Sequence, residues 1–302
     1  MAITRDAFEL LCWAKQQNLQ NWEHVLTLGR QSVILQPWDV ANWEATSRST
    51  NTLSSFTKRA EDASAGEQLF KAIGAEKVDS MDISDYEGAS IIHNLNQPVP
   101  DHLKLAFDVV FDGGTLEHVF DYPTALKNAL SMVKPGGWFL AITPSNMWCG
   151  HGFYQFSPEV FRTILSEVNG FKLKMMAFAL STYKKEYWIW DAEQVQRPGR
   201  LGIFSKHPAC LLIAAQRISS EIPEKLSVQQ PDYVVRWEAG SEKQEIKTAL
   251  AQTSAPVQTK SLKSKLVSIL PWSIRGRLWH RIAAKRNIAQ HQRGLHRANS
   301  LV

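Results

Sequence analysis

The segment that most limits what this chain can fold into is residues 107–143, FDVVFDGGTLEHVFDYPTALKNALSMVKPGGWFLAIT. Its opening run, 107–111, is apolar, rich in valine and too short for a helix, which predicts a strand buried on both faces. The run ends at Asp112-Gly113-Gly114. Glycine permits backbone angles that side chains forbid, so the chain can turn there and leave peptide groups open to a ligand. Asp121 and Pro123 open a helix whose apolar residues Ala125, Leu126, Ala129, Leu130 and Val133 recur at three and four. Lys134-Pro135-Gly136-Gly137 stops it, and 138–142 is a second buried strand. Strand, helix and strand of these lengths make one right-handed crossover of a parallel sheet.

Taken in order, Phe107, Asp108, Val110, Leu116, Glu117, His118 and Lys134 to Gly137 resemble the fourth and fifth strands of class I S-adenosylmethionine-dependent methyltransferases. The branch concerned is the type 11-like one, with FD-x-V, LEH and KPGG motifs. The resemblance implies an α/β, Rossmann-like, doubly wound sheet of seven strands, mostly parallel with an antiparallel edge strand. It also implies S-adenosyl-L-methionine as cofactor and methyl transfer as the reaction.

Chain length and charge limit what surrounds this core. With 302 residues, 44% of them hydrophobic, the chain can bury one α/β core and carry an appendage. No stretch of eighteen apolar residues spans a membrane, and the acidic, amphipathic start does not read as a secretory signal. Three scattered cysteines fit a reducing compartment and exclude a disulfide framework or a cysteine-rich zinc site. A cytoplasmic location is expected. The net charge of +5 is unevenly placed: eleven of the 34 basic residues and none of the 29 acidic ones lie from Lys247 onward. Domain boundaries are therefore set at 1–216 for the methyltransferase-like body, with an insertion at 33–63; 217–257 for a polar linker; and 258–302 for a basic helical tail.

Within the body, residues 3–18 read as a helix and 24–29 as the first strand. The resemblance implies a glycine-rich loop after that strand, but here it reads Thr27-Leu28-Gly29-Arg30-Gln31-Ser32, with one glycine. Two readings stand. Gly29 allows close approach while Arg30 and Gln31 hydrogen-bond the cofactor's amino-acid end, Arg30 suiting its carboxylate; or the domain has lost its cofactor. The insertion is a lid over the cofactor mouth or a surface loop stabilised by Trp38 and Trp43. Residues 77–83 read as the second strand, whose Asp82 is implied to accept from the ribose hydroxyls, with Asp79 and Asp85 as fallbacks. In the third strand, 90–95, Asn94 stands where the family's adenine-binding aspartate is expected. Asp112, Gly113 and Gly114 would border adenine and sulfonium.

The loop after the fifth strand, 143–158, gathers His151, Asn146, Tyr154 and Gln155 around two glycines, at the sheet edge where this architecture carries ligands. His151 is the first choice for catalytic base or acceptor contact and His118 the second; Asn146, Tyr154 and Gln155 are acceptor candidates. Histidine spacing along the chain suggests no metal site. Residues 171–180 and 209–215 read as the sixth and seventh strands, the latter at the antiparallel edge. The aromatic, basic stretch 183–208 between them either walls an acceptor pocket or forms a flap on the sheet. In the tail, tryptophan and arginine flank Pro271, but Arg275 and Lys285 fall inside the apolar arc of its second stretch. An anionic membrane surface and the acidic body are both open as docking partners, nucleic acid less so. The expected activity is O-methylation of a small molecule, glycan or lipid-linked sugar; the alternative is a non-catalytic module in a membrane assembly.

Overall fold

The computed structural model describes residues 2–17, 22–46, 53–57, 64–181, 186–190, 207–230, 233–234, 237, 295–298 and 300–301. Eleven strands and five α-helices are described. The strands are β1 (Ala2–Ile3), β2 (His24–Leu28), β3 (Ser32–Val33), β4 (Lys77–Asp82), β5 (Ile91–Ile92), β6 (Phe107–Asp112), β7 (Val133–Asn146), β8 (Phe171–Leu180), β9 (Glu186–Trp190), β10 (Ala209–Arg217) and β11 (Leu295–Ala298). The helices are α1 (Arg5–Gln16), α2 (Pro37–Thr46), α3 (Ala65–Ala72), α4 (Tyr122–Met132) and α5 (Pro158–Ile164).

The main sheet runs β11-β9-β8-β10-β7-β6-β2-β4-β5. From β5 to β7 every ladder is parallel, and β10 inserts antiparallel between β7 and β8. This is the doubly wound Rossmann-like arrangement: crossovers from β2 lead one way to β4 and β5, and the strands from β6 lead the other way. Two expectations need correcting. The described sheet has nine strands rather than seven, and the antiparallel strand is internal, because β8 pairs along its outer side and β9 and β11 extend the sheet beyond it.

Side-chain alternation divides the core into two layers. Val109 and Phe111 of β6 point to the face covered by α1 and α3, with Phe8, Leu11 and Phe70. Val110 points to the other face, with Leu126, Leu130 and Phe161 of α4 and α5. All six residues of β6 are buried, as expected of a central parallel strand. The FD and KPGG motifs prove to be structural, at the amino edge. Asp108 accepts from the His24 amide at 2.8 Å and from Lys134 Nζ at 3.1 Å, tying β2, β6 and β7 together. A Cβ on Gly137 would stand 2.7 Å from the Asp108 carbonyl, so only glycine allows β7 that close. α4 starts as anticipated, the Asp121 side chain accepting from the Thr124 amide.

The described part of the insertion packs on α1 rather than over the sheet edge. β3 pairs with β1, and Arg5 lies 3.1 Å from Asp39 of α2. Residues 47–52 and 58–63, where a lid would also draw its chain, lie outside the described residues. Of the aromatic stretch, 186–190 forms β9, with Tyr187 and Trp190 buried and the Tyr187 hydroxyl donating to Asp6 at 2.8 Å. That part extends the sheet; Arg197 and Arg200 lie outside the described residues.

Residues 218–227 are fastened to the body rather than running as a free linker. The buried Arg217 guanidinium donates to the carbonyls of Leu130, Ser219 and Glu221, and Asn169 holds Ser227 through both backbone groups. Of the tail expected to be helical, 295–298 is instead strand β11, and Ser300 and Leu301 donate to Glu9 of α1. This end docks on the body. The Trp-Arg stretch around Pro271 lies outside the described residues. No helix among the described residues is long and apolar enough to cross a membrane.

Candidate functional site

The carboxyl ends of β4, β2 and β6 lie side by side, and β2 is the point from which crossovers diverge, where this architecture opens a crevice. Asp82 ends β4, half-buried, with one carboxylate oxygen accepting from the Ile83 amide at 2.7 Å. Exposed Ile83 follows it and exposed Ile92 is its partner in the β4–β5 ladder, offering apolar surface at the same edge. Asn94 has a local role: its side-chain oxygen accepts from the amide and side chain of Asn96 at 3.0 and 2.8 Å. Both acceptor positions of that oxygen are therefore taken within the turn.

The other half of the crevice is occupied by the protein. Gly29 follows β2 with φ of +67°, a conformation glycine adopts freely, and its amide donates to Met81 at 2.7 Å. Gln31, expected at a ligand's amino-acid end, is buried instead, donating to the Leu28 carbonyl at 3.0 Å. Its side chain fills the space over Gly113, where an added Cβ would meet Gln31 Oε1 at 2.5 Å. Thr115 also donates to Leu28, joining the ends of β2 and β6. Arg30, expected to bind a carboxylate ligand, pairs with Glu67 at 2.8 Å and donates to the Glu87 carbonyl across the crevice mouth. Arg30 and Gln31, so placed, occupy the positions expected for the methionine end of S-adenosylmethionine.

Asp112 does not face the crevice either. It is buried, and one oxygen caps the following turn by accepting from the Thr115 and Leu116 amides at 2.8 and 3.3 Å. Burial pushes its pKa up to about 6. Behind Gly114 lies Glu117, the central residue of the LEH motif, for which the sequence pattern by itself suggests no role. It is 1% exposed, and Oε2 has no hydrogen-bond partner among the described residues. Burial first, and then the charge of Asp112, push its pKa up to about 8. Two carboxyls in one dry pocket resist ionising together, so near neutral pH Glu117 holds a proton. The buried Tyr122 hydroxyl, also without a partner among the described residues, is raised well above its ordinary value by burial and these two acids.

The loop after β7 closes on this pocket. Phe153 and Tyr154 donate their amides to the Glu117 carbonyl at 2.9 and 3.3 Å. A Cβ on Gly152 would stand 3.0 Å from that carbonyl and 3.2 Å from His118 Nδ1, so glycine lets the loop lie flat on the Leu116–His118 turn. His151 and His118 thereby become neighbours, ring centroids 5.2 Å apart, with His151 Nε2 3.7 Å from Glu117 Oε1. Burial and the neighbouring His151 lower the His118 pKa, which favours the uncharged imidazole. The proposed acceptor residues have positions in the loop's own framework. Gln155 accepts from the Trp148 amide, Tyr154 donates to the Phe120 carbonyl, and Asn146 donates to the His207 carbonyl. Facing solvent beside the histidines are Phe120 and Phe153, edge to face at 5.8 Å, together with Met147.

No protein-family model matches the chain, and no curated protein matches it. Solved structures do. A SAM-dependent methyltransferase from Aquifex aeolicus is 12% identical over 70% of this chain and 90% of its own, with a TM-score of 0.37. The N-methyltransferase NodS from Bradyrhizobium japonicum WM9 is 14% identical over 70% and 97%, with a TM-score of 0.34. A branched-chain polyamine synthase from Thermus thermophilus is 14% identical over 74% and 58%, with a TM-score of 0.37. The strand ladders show a Rossmann-like α/β fold, and the solved structures this chain is compared with above are two methyltransferases and a branched-chain polyamine synthase.

Proposed function

We propose that this protein is an S-adenosylmethionine-dependent methyltransferase that methylates a hydroxyl of a small molecule, glycan or lipid-linked sugar. The observation that carries the reading is the sharing of one sheet edge: Asp82 at the end of β4, and, past the glycine corner, a histidine pair beside exposed aromatic rings. When bound, the cofactor would supply the electrophilic methyl group. The chain's tasks are to hold the acceptor in line and to take its proton. His118, or His151 at the loop tip, would be the imidazole that takes this proton. Phe120 and Phe153 present ring faces on which a sugar or an aromatic acceptor stacks. Arg30 must exchange its Glu87 contact for the cofactor's carboxylate, which its guanidinium matches in charge and shape.

The occupied methionine end favours a second reading, a Rossmann-like module without catalysis that acts in a membrane-associated assembly, with its basic tail as anchor. Calorimetric titration with S-adenosylhomocysteine separates the two. Micromolar binding that Asp82→Ala abolishes supports the enzyme; no binding at millimolar ligand supports the module. Location at the cytoplasmic membrane face belongs with either reading and is tested by fractionating cells that express the chain with and without residues 258–302.

A further inference from the structure

Folding brings together three metal-ligating side chains that are scattered in the sequence. Glu117, His118 and His151 each offer a donor atom, and the three atoms lie within 4.8 Å of one another. We propose that they form a site for a divalent transition ion of zinc type, with two imidazoles and one carboxylate as ligands and a further position open toward the exposed aromatic rim.

Four observations meet at this site. The donor set is the one that borderline divalent ions prefer, and three protein ligands with an open position is the pattern of reactive rather than structural zinc. The spacing is close to what such an ion needs. Ligand bonds of about 2.0–2.1 Å in a tetrahedron put donors roughly 3.3 Å apart, and His151 Nε2 to Glu117 Oε1 is 3.7 Å. The two histidines are exposed and can swing inward, whereas Glu117 is fixed by the turn and by the loop amides on its carbonyl. Most telling, Glu117 is a buried carboxyl whose Oε2 lacks a partner among the described residues, a costly arrangement that a cation beside it would relieve. Finally, the flat approach of Gly152 holds the His151 loop against Glu117 and His118, so the site is assembled by the fold rather than by a flexible tip.

With an ion bound, the two imidazoles would serve as ligands in place of the base role described above, and the ion would draw the proton off Glu117 and lower the pKa of a water or acceptor hydroxyl in the open position. The site stands on these three residues alone and needs no bound cofactor, so its test is independent of the methyltransferase reading.

The test is zinc titration of the full, untagged, chelator-stripped chain at pH 7.5 by competition with a chromophoric chelator, with cobalt substitution read by visible absorption. The expected result is one ion bound per chain at about micromolar or tighter affinity, and cobalt bands of a four-coordinate nitrogen and oxygen site. His118→Ala, His151→Ala and Glu117→Gln should each weaken binding at least about tenfold, while His102→Ala, at an exposed histidine in another turn, leaves it unchanged. Circular dichroism on each variant checks that the fold persists. Absence of binding up to about millimolar zinc, or binding equal in the wild type and the two histidine variants, overturns the site.

Discussion

Replacing Glu117 by glutamine keeps the shape of a side chain that is almost wholly buried while removing its ability to ionise. In the folded chain, with no ion bound, its pKa stands near 8 against an ordinary 4.5, chiefly through burial. Below pH 4.5 the carboxyl is protonated whether the chain is folded or unfolded, and costs nothing. Between 4.5 and 8 the unfolded chain releases the proton and the folded chain keeps it, so stability falls by about 1.4 kcal/mol per pH unit. Above 8 both states are ionised and the loss is constant, at most roughly 5 kcal/mol. Glutamine has no such loss. In chelator, urea unfolding followed by circular dichroism should therefore give wild type and Glu117→Gln stabilities within about 1 kcal/mol of each other at pH 5. At pH 9 the variant should be the more stable by roughly 3–5 kcal/mol. Parallel stability curves from pH 5 to 9 would refute the claim that the fold holds this acid protonated. Zinc at pH 8 should recover part of the wild-type loss and none of the variant's advantage, because the ion binds the ionised carboxylate.

Three further outcomes follow from contacts elsewhere. Gly152→Ala puts a methyl group against the Glu117 carbonyl and His118, and should cost about 1–3 kcal/mol in urea unfolding while separating the two histidines. Asn128→Ala leaves the Val99 amide and the Leu95 and Gln97 carbonyls without their shared partner in the middle of α4, a loss of about 2–4 kcal/mol by the same measurement. Arg217→Leu removes the donor that holds the Leu130, Ser219 and Glu221 carbonyls, and trypsin should then cut after Lys225 faster than in the wild type.

Much of the fold was legible in residues 107–143, because a buried parallel strand must be apolar on both faces and a crossover helix must repeat at three and four. Those constraints are local and act on side chains in order. The added strands β9 and β11 were not legible. Tyr187 and Trp190 look the same in a pocket wall and in a sheet, and β11 pairs with a strand more than a hundred residues away. Among candidate site residues, Asp82 and the histidines lie at the expected edge, since strand ends in a doubly wound sheet all face it. Arg30, Gln31, Asn94 and Asp112 sit near it too, with their hydrogen bonds directed to the protein itself.

Glu117 shows the division most clearly. Sequence alone determined that an acidic residue follows a glycine corner in a short turn. It also determined that the loop carrying His151 begins at the same edge of the sheet. Tertiary structure decided that the carboxyl is dry, that it lies beside a second acid, and that two histidines thirty-three positions apart close over it. The physical reason is range: helix and strand patterns depend on neighbours a few residues away, whereas desolvation and ligand geometry depend on whatever distant segments the fold packs around a side chain.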